Sequence, residues 1–312
     1  MNNIKKIGLS ALAGSLVAFS ANAAEMTVTG GAAITFGDYG DDITNNAWSS
    51  GDGLTFSASG ETDGGLNVSS SYTLDRGVLD DYSVSIATDG MGTITFHGLD
   101  GSSALGAVDD VMPSAYEEPW FGVTSPTKVD GKAYDDMFQY TSPNMGGATL
   151  TLTYNQADTT NSDESLTSYA LAFSPEAVDG LTIGYAAQDD DSSATAASHV
   201  SDTTMYVKYV YGSATLGYQM SDGDSDTDSE DVETTGYGIS YAISDELSIS
   251  YGSHTAETPN DSADKDQEAT AISASYTSGG MTIAATMGSV DNVGNVDTTD
   301  EDTYEISMSF AF

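Results

Sequence analysis

The sequence predicts an all-β fold, a sixteen-stranded antiparallel transmembrane β-barrel, on three observations. Large apolar residues alternate with small polar ones in segment after segment, which is the period of a strand with two unlike faces. Beyond residue 23 no apolar stretch approaches the roughly 20 residues that a spanning helix requires, so a membrane crossing must use a closed barrel with every backbone group paired. The links between segments alternate between tight turns and long acidic stretches, as on the two rims of an outer-membrane barrel.

The N-terminus reads as a targeting segment. MNNIKKIGLSALAGSLVAFSANA carries Lys5 and Lys6, an apolar run from Ile7 to Phe19, and Ala21-Asn22-Ala23 as a small-residue cleavage site, so residues 1–23 are expected to be a secretory signal peptide. An uncleaved anchor is the alternative, but the run is only about 13 residues, short of a span. A single barrel domain is expected over residues 24–312.

The strands follow in order. MTVTGGAAITF (26–36) sets Met26, Val28, Ala32, Ile34 and Phe36 in step, and GLTFSAS (53–59) does the same with Leu54, Phe56 and Ala58. GLNVSSSYTL (65–74), YSVSIA (82–87), TITFHG (93–98), MFQYTS (137–142), ATLTLTY (148–154), YALAF (169–173) and LTIGYAA (181–187) keep the pattern. It recurs in MYVKYVYG (205–212), ATLGYQM (214–220), GYGISYAI (236–243), LSISYG (247–252), AISASY (271–276), MTIAATM (281–287) and the closing YEISMSFAF (304–312). None has an interior proline, which a laddered strand could not accommodate.

Between them, TDGG (62–65), DGMG (89–92), SPNMGG (142–147), SPEAVDG (174–180), YGS (211–213), ISDE (243–246) and SGG (278–280) are tight links. DDDSSATAASHVSD, SDGDSDTDSEDVE, ETPNDSADKDQ and DNVGNVDTTDED are long ones. A soluble β-sandwich also alternates apolar and polar residues. The barrel is favoured because the polar face is Ser, Thr and Gly. In addition, Tyr72, Tyr140, Tyr154, Tyr211, Tyr241 and Tyr276 sit near strand ends, where a membrane interface suits them.

Charge and composition narrow the function. With 48 acidic residues against 7 basic ones and a net charge of −41, nucleic acid and bare anionic lipid would be repelled. There is no cysteine, which removes thiol catalysis, thiolate metal sites and a disulfide framework.

EMTVTGGAAITFGD at the start, GETDGGL at the first turn, TITFHGLDGSSALGAVDD, QYTSPNMGG and the terminal FAF together resemble the Gram-negative general diffusion porins, most of all the sixteen-stranded porins of purple non-sulfur bacteria. The resemblance spans essentially the whole mature chain, through order and spacing more than any single motif. It implies a homotrimer in the outer membrane, embedded in lipid and lipopolysaccharide, and a third outer loop folded inward to narrow the pore. A strand ending on Phe is also similar to the assembly signal of such proteins. The corresponding loop is Gly98 to Ala133, which holds Pro113, Pro119 and Pro126 with Tyr116, Trp120 and Phe121, residues able to fix a compact loop against a wall.

The expected constriction residues are the loop acids Asp100, Asp109, Asp110, Glu117 and Glu118, with Arg76, Lys128, Lys132, Lys208 and His97 as the candidates around them. The family sets such acids across from clustered wall bases. This chain departs from that pattern: WSSGDGLTF has no base, and beyond the leader only Arg76, Lys128, Lys132, Lys208 and Lys265 remain. Lys208 lies on the face opposite Met205, Val207 and Tyr209 and should point into the lumen. Carboxylate rings favour cations, and a pore narrower than the Debye length of about 8 Å at physiological salt feels its wall charge on the axis. The expected function is a cation-selective, water-filled diffusion channel for small hydrophilic solutes and ions, not an enzyme.

Two alternatives stay open: a channel preferring cationic or polyhydroxylated solutes, and a secreted acidic β-sheet adhesin or ion-binding protein. SDGDSDTDSEDVE places Asp222, Asp224, Asp226 and Asp228 at alternate positions, but Thr227 or Ser229 falls where a calcium loop needs glycine. It is expected to be a solvated loop, at most bridged weakly by divalent cations to lipopolysaccharide phosphates, and no cofactor is expected. His97, His199 and His254 lie on separate segments with no nucleophile or metal-ligand motif, so His97 is expected to be a hydrogen-bonded wall residue.

Overall fold

In hydrocarbon an unpaired backbone N–H or C=O costs several kcal/mol, so a strand ladder there is stable only when its two edges meet. The computed structural model shows that closure. It describes residues 25–39, 47–88, 90–123, 129–156, 165–191, 200–225, 231–258 and 265–312. The expected signal peptide, Lys128, Pro126, Asp226, Asp228 and His199 lie outside them.

The strands are β1 (Glu25–Tyr39), β2 (Trp48–Glu61), β3 (Asn67–Asp75), β4 (Val78–Thr88), β5 (Gly92–Leu99), β6 (Gly101–Ser102), β7 (Ala133–Tyr134), β8 (Met137–Thr141) and β9 (Ala148–Asn155). They continue with β10 (Ser165–Phe173), β11 (Leu181–Asp191), β12 (Val200–Tyr211), β13 (Ala214–Ser225), β14 (Val232–Ala242), β15 (Leu247–Glu257), β16 (Gln267–Ser278), β17 (Met281–Asp291) and β18 (Glu301–Ala311). All but β6 and β7 form one closed antiparallel barrel, and those two make a separate hairpin sheet. The seam joins β1 to β18 from Gly31 opposite Ala311 to Tyr39 opposite Thr303, and Gly30 and Phe312 exchange backbone hydrogen bonds below it.

Burial is inverted relative to a soluble protein. On β18, Tyr304, Ile306, Met308 and Phe310 are exposed while Thr303, Glu305 and Ser307 are buried. The same holds for Leu152 against Thr153, Tyr169 against Ser168, and Met220 against Gln219 and Ser221. Apolar side chains therefore face outward and hydroxyls, amides and acids face inward, as the alternation predicts.

The tight links fall at one end of the barrel. Gly92, at φ +84°, shows what they demand: a Cβ there would stand 2.2 Å from the Thr141 carbonyl oxygen on the neighbouring strand, so only glycine turns this corner. At the other end two details differ from the expectation. The connection between β3 and β4 is only Arg76-Gly77, with both residues at positive φ, so not every outer link is long. β11, β12 and β13 also run on through Asp189–Asp191, Ser201–Asp202 and Ser221–Ser225, which puts Asp222 and Asp224 on a strand. Apolar alternation ends there, but the backbone ladder continues.

Candidate functional site: the loop across the lumen

The loop leaves the wall at the end of β5. Asp100 takes φ +49°, a left-handed conformation that breaks the strand, and its N–H donates to Asp135 Oδ1 at 3.1 Å. Gly101 then crosses over His97 and Met137 so closely that a Cβ would lie 2.7 Å from the Cβ of His97. His97 is directed inward as expected, but its Nε2 is buried with no protein hydrogen-bond partner. It stands near Asp81, which in turn feels Asp100.

β6 and β7 close the neck of the loop, and from there the chain is pinned to the inner wall strand by strand. The Ala104 N–H donates to Thr153 Oγ1 on β9 at 3.1 Å, and the Leu105 N–H to Ser168 Oγ on β10 at 3.0 Å. Leu105 and Ala104 pack on Ala170 and Ala186 in a small apolar cluster. Further along, the Ala115 N–H donates to Ser250 Oγ on β15 at 2.8 Å, and the Glu117 N–H to Thr286 Oγ1 on β17 at 3.3 Å. Ser273 Oγ on β16 donates to the Glu117 carbonyl at 3.2 Å, and Tyr116 donates a short hydrogen bond to the Glu305 carboxylate on β18.

Proline and aromatic residues fill the gaps between these bonds. Pro113 lies against Gly217 and Gly238, where a Cβ would stand 2.4 Å and 2.9 Å from its atoms, and Pro119 lies against Gly252. Trp120 packs against His254 with ring centroids 4.1 Å apart and the rings tilted by 48°, over Ala269, Val290 and Val293. Several backbone groups that the loop leaves without an internal partner thus meet a hydroxyl or amide of the wall.

Among the candidates, Asp109, Asp110, Glu117 and Glu118 ride on this loop, half-buried. Asp109 Oδ2 accepts the Gly131 N–H at 3.1 Å, and Asp110 Oδ1 accepts the Met112 N–H at 3.3 Å. Burial raises the Glu117 carboxyl above its ordinary 4.5, reinforced by Glu118 and Glu305. Burial and the hydrogen bond to Glu305 likewise raise the Tyr116 phenol.

The bases are spread out. Lys132 sits at the loop's return, where its charge reaches Asp202. Lys208 is on the inward face of β12, across from Thr182 and Gly217. Arg76 occupies the outer turn, with Nη2 donating to the Ser50 carbonyl at 2.8 Å.

Apart from the crossing of Gly101 over His97 and Met137, the loop bonds described above go to other strands than β1–β5 and β8, and these strands contain no Lys or Arg. Their inward positions line up in rows: Thr29, Thr55, Thr73; then Thr27, Ser57, Ser71, Ser83; then Ser59, Ser69, Ser85, Thr95. Thr55 bonds Thr73 at 3.2 Å and Ser85 bonds Thr95 at 2.8 Å. Among the described residues no group of three or more His, Asp or Glu side chains is arranged to hold a metal ion.

Sequence reasoning missed the wall partners Gln188, Gln219, Ser250 and Glu305. The glutamines are the one signal it had, being long amides on inward faces made mostly of small residues.

A closed barrel that is apolar outside, hydroxylated inside and crossed by a pinned loop defines a passive outer-membrane channel. The profile of the Gram-negative porin family matches residues 8–266, and the chain belongs to that family, whose members are channels rather than enzymes. Its location is therefore the outer membrane.

Several solved structures share the fold. OmpT of Vibrio cholerae in its trimer form is 12% identical with a TM-score of 0.72, covering 93% of this chain and 99% of that one. An anion-selective porin from Comamonas acidovorans is 12% identical with a TM-score of 0.69, covering 93% and 100%. A triple mutant of the Rhodopseudomonas blastica porin is 14% identical with a TM-score of 0.64, covering 92% and 100%. At these identities the likeness speaks to the fold. Comparison by sequence with curated proteins returns no match.

Proposed function

We propose that the channel passes small hydrophilic solutes and ions and prefers cations. The observation that carries this reading is the asymmetry of the lumen: Asp109, Asp110, Glu117 and Glu118 stand on the loop, while the facing wall offers rows of Ser and Thr and no Lys or Arg. At physiological salt the Debye length is about 8 Å, so acids on one side of a narrow passage set the potential across it. The Comamonas porin is described as anion-selective on a similar barrel, which fits selectivity residing in side chains rather than in the fold. Lys132 and Lys208 moderate the field, and Arg76 is tied to the rim.

Liposome swelling with cationic, neutral and anionic solutes of matched size tests the reading. The cation should enter fastest and the anion slowest; equal rates, or anions fastest, contradict it. The hydroxyl rows favour a second reading, a channel with a preference for polyhydroxylated solutes, which the same assay would reveal as a neutral polyol outrunning the size trend.

We also propose a homotrimer in lipid and lipopolysaccharide, reached through cleavage of residues 1–23. The outward face of β1 and β2 supports association, because Gly30, Ala32 and an exposed Asp52 interrupt the apolar band there. A carboxylate facing lipid is unfavourable, whereas one facing a second copy is not. The form described for Vibrio OmpT is consistent with this reading. Ala32→Trp should convert the oligomer to monomer on unheated gels, and an unchanged oligomer would remove this face from consideration.

A further inference from the structure

We infer that two buried wall glutamines, Gln188 and Gln219, are positioning residues that set where the loop acids stand and hence how selective the pore is. The inference rests on the cation-selective reading for its electrical consequence, and on geometry alone for the positioning.

Gln219, on β13, is 5% exposed. Its Oε1 accepts the Val111 N–H at 3.0 Å, and its Nε2 donates to the carbonyls of Val108 at 3.1 Å and Asp109 at 2.7 Å. One carboxamide therefore grips the backbone on both sides of Asp109 and Asp110. The chemistry admits no substitute of similar size: backbone carbonyls only accept and an N–H only donates, so the site needs a side chain that does both in one plane.

Gln188, on β11 and 2% exposed, does the same at the neck. Its Oε1 accepts from Ser103 Oγ at 2.7 Å and from the Lys132 N–H at 3.2 Å, while Nε2 donates to the Asp130 carbonyl at 3.0 Å and to the Asp202 carboxylate. Ser103 near the start of the loop and Asp130 and Lys132 near its end are joined through this one amide. Together the two side chains bracket the segment that carries Asp109 and Asp110, and a buried group stripped of its partner is expensive to leave so.

The discriminating variant is Gln219→Glu. It preserves shape and the acceptor for Val111 but turns the donor into a second acceptor aimed at two carbonyls. Charge alone predicts a more cation-selective pore, because an acid has been added. Positioning predicts the reverse: the shoulder of the loop is pushed off the wall, the cation-over-anion permeability ratio falls toward unity, and the open-channel current becomes noisy. Reversal potential and single-channel noise in planar bilayers read both.

Gln219→Leu should show the same loss without any added charge, and it serves if the glutamate variant fails to insert. In either background, Ser114→Cys with Ser250→Cys, whose hydroxyls are 3.5 Å apart, should form a crosslink that restores quiet current. A quiet, more cation-selective Gln219→Glu pore, or a Gln219→Leu pore indistinguishable from the parent, overturns the inference. If the parent itself shows no cation preference, the selectivity reading fails, and the noise measurement still decides the positioning.

Discussion

At the scale of single residues, the proposed selectivity rests on a few carboxylates whose surroundings differ. Asp109 and Asp110 are held by backbone N–H groups, so their charge is fixed in place. Asp109→Asn with Asp110→Asn should lower the cation-over-anion permeability ratio several-fold in dilute salt and much less in concentrated salt, because screening shortens the reach of wall charge to about 3 Å at 1 M. Bi-ionic reversal potentials at two ionic strengths check this.

Glu117 behaves differently, since burial, then Glu118 and Glu305, raise its carboxyl above 4.5. A raised carboxyl takes up its proton earlier as the solution is acidified. Cation preference should therefore begin to decline at a pH above that at which a solvated glutamate titrates, and Glu117→Gln should remove the early part of the decline while leaving the rest. A titration of reversal potential that is superimposable for parent and variant would contradict this assignment.

At the scale of elements, the barrel and the loop are separate structures with separate energetics. The strand ladder is continuous around the barrel, whereas the loop is held by side chains that reach in from the wall. Gly217→Leu drives a side chain into Pro113 and should push the loop into the lumen, lowering single-channel conductance without changing the heat stability of the barrel on gels. Trp120→Ala removes the ring seated on His254 and Val290, at a cost of about 3–5 kcal/mol for a buried aromatic, and should raise open-channel noise, again with the barrel intact.

The elements were legible in the sequence to different degrees. Each strand announced itself while one face met hydrocarbon, because Leu152, Tyr154, Ile306 and Met308 must alternate with Thr153, Glu305 and Ser307. Beyond the hydrocarbon both faces are wet, so the outer ends of β11 and β13, rich in Asp and Ser, carried no period and read as loop. Strand parity alone places Lys208 inward. Most partners of the loop are not readable, because the inward positions are mostly small and polar, and only the path of the loop decides that Ser250 meets Ala115 while Ser71 meets open lumen.

At the scale of the whole molecule, the outward surface and the lumen together account for the composition. The outward surface is apolar where lipid must lie, and the inner surface is hydroxylated and acidic. Of the described lysines and arginine, Arg76 is tied to the rim, Lys132 lies at the loop's return, Lys265 lies just before β16, and Lys208 alone stands on a barrel strand. The fold makes a passage, and on the proposed reading the side chains on one loop give the passage its sign. The most direct test is the zero-current potential of the purified protein in a planar bilayer separating concentrated from dilute potassium chloride. Potassium crossing faster than chloride makes the dilute side positive, which is the result predicted here; a negative dilute side would show that chloride leads and that the loop acids do not control the pore.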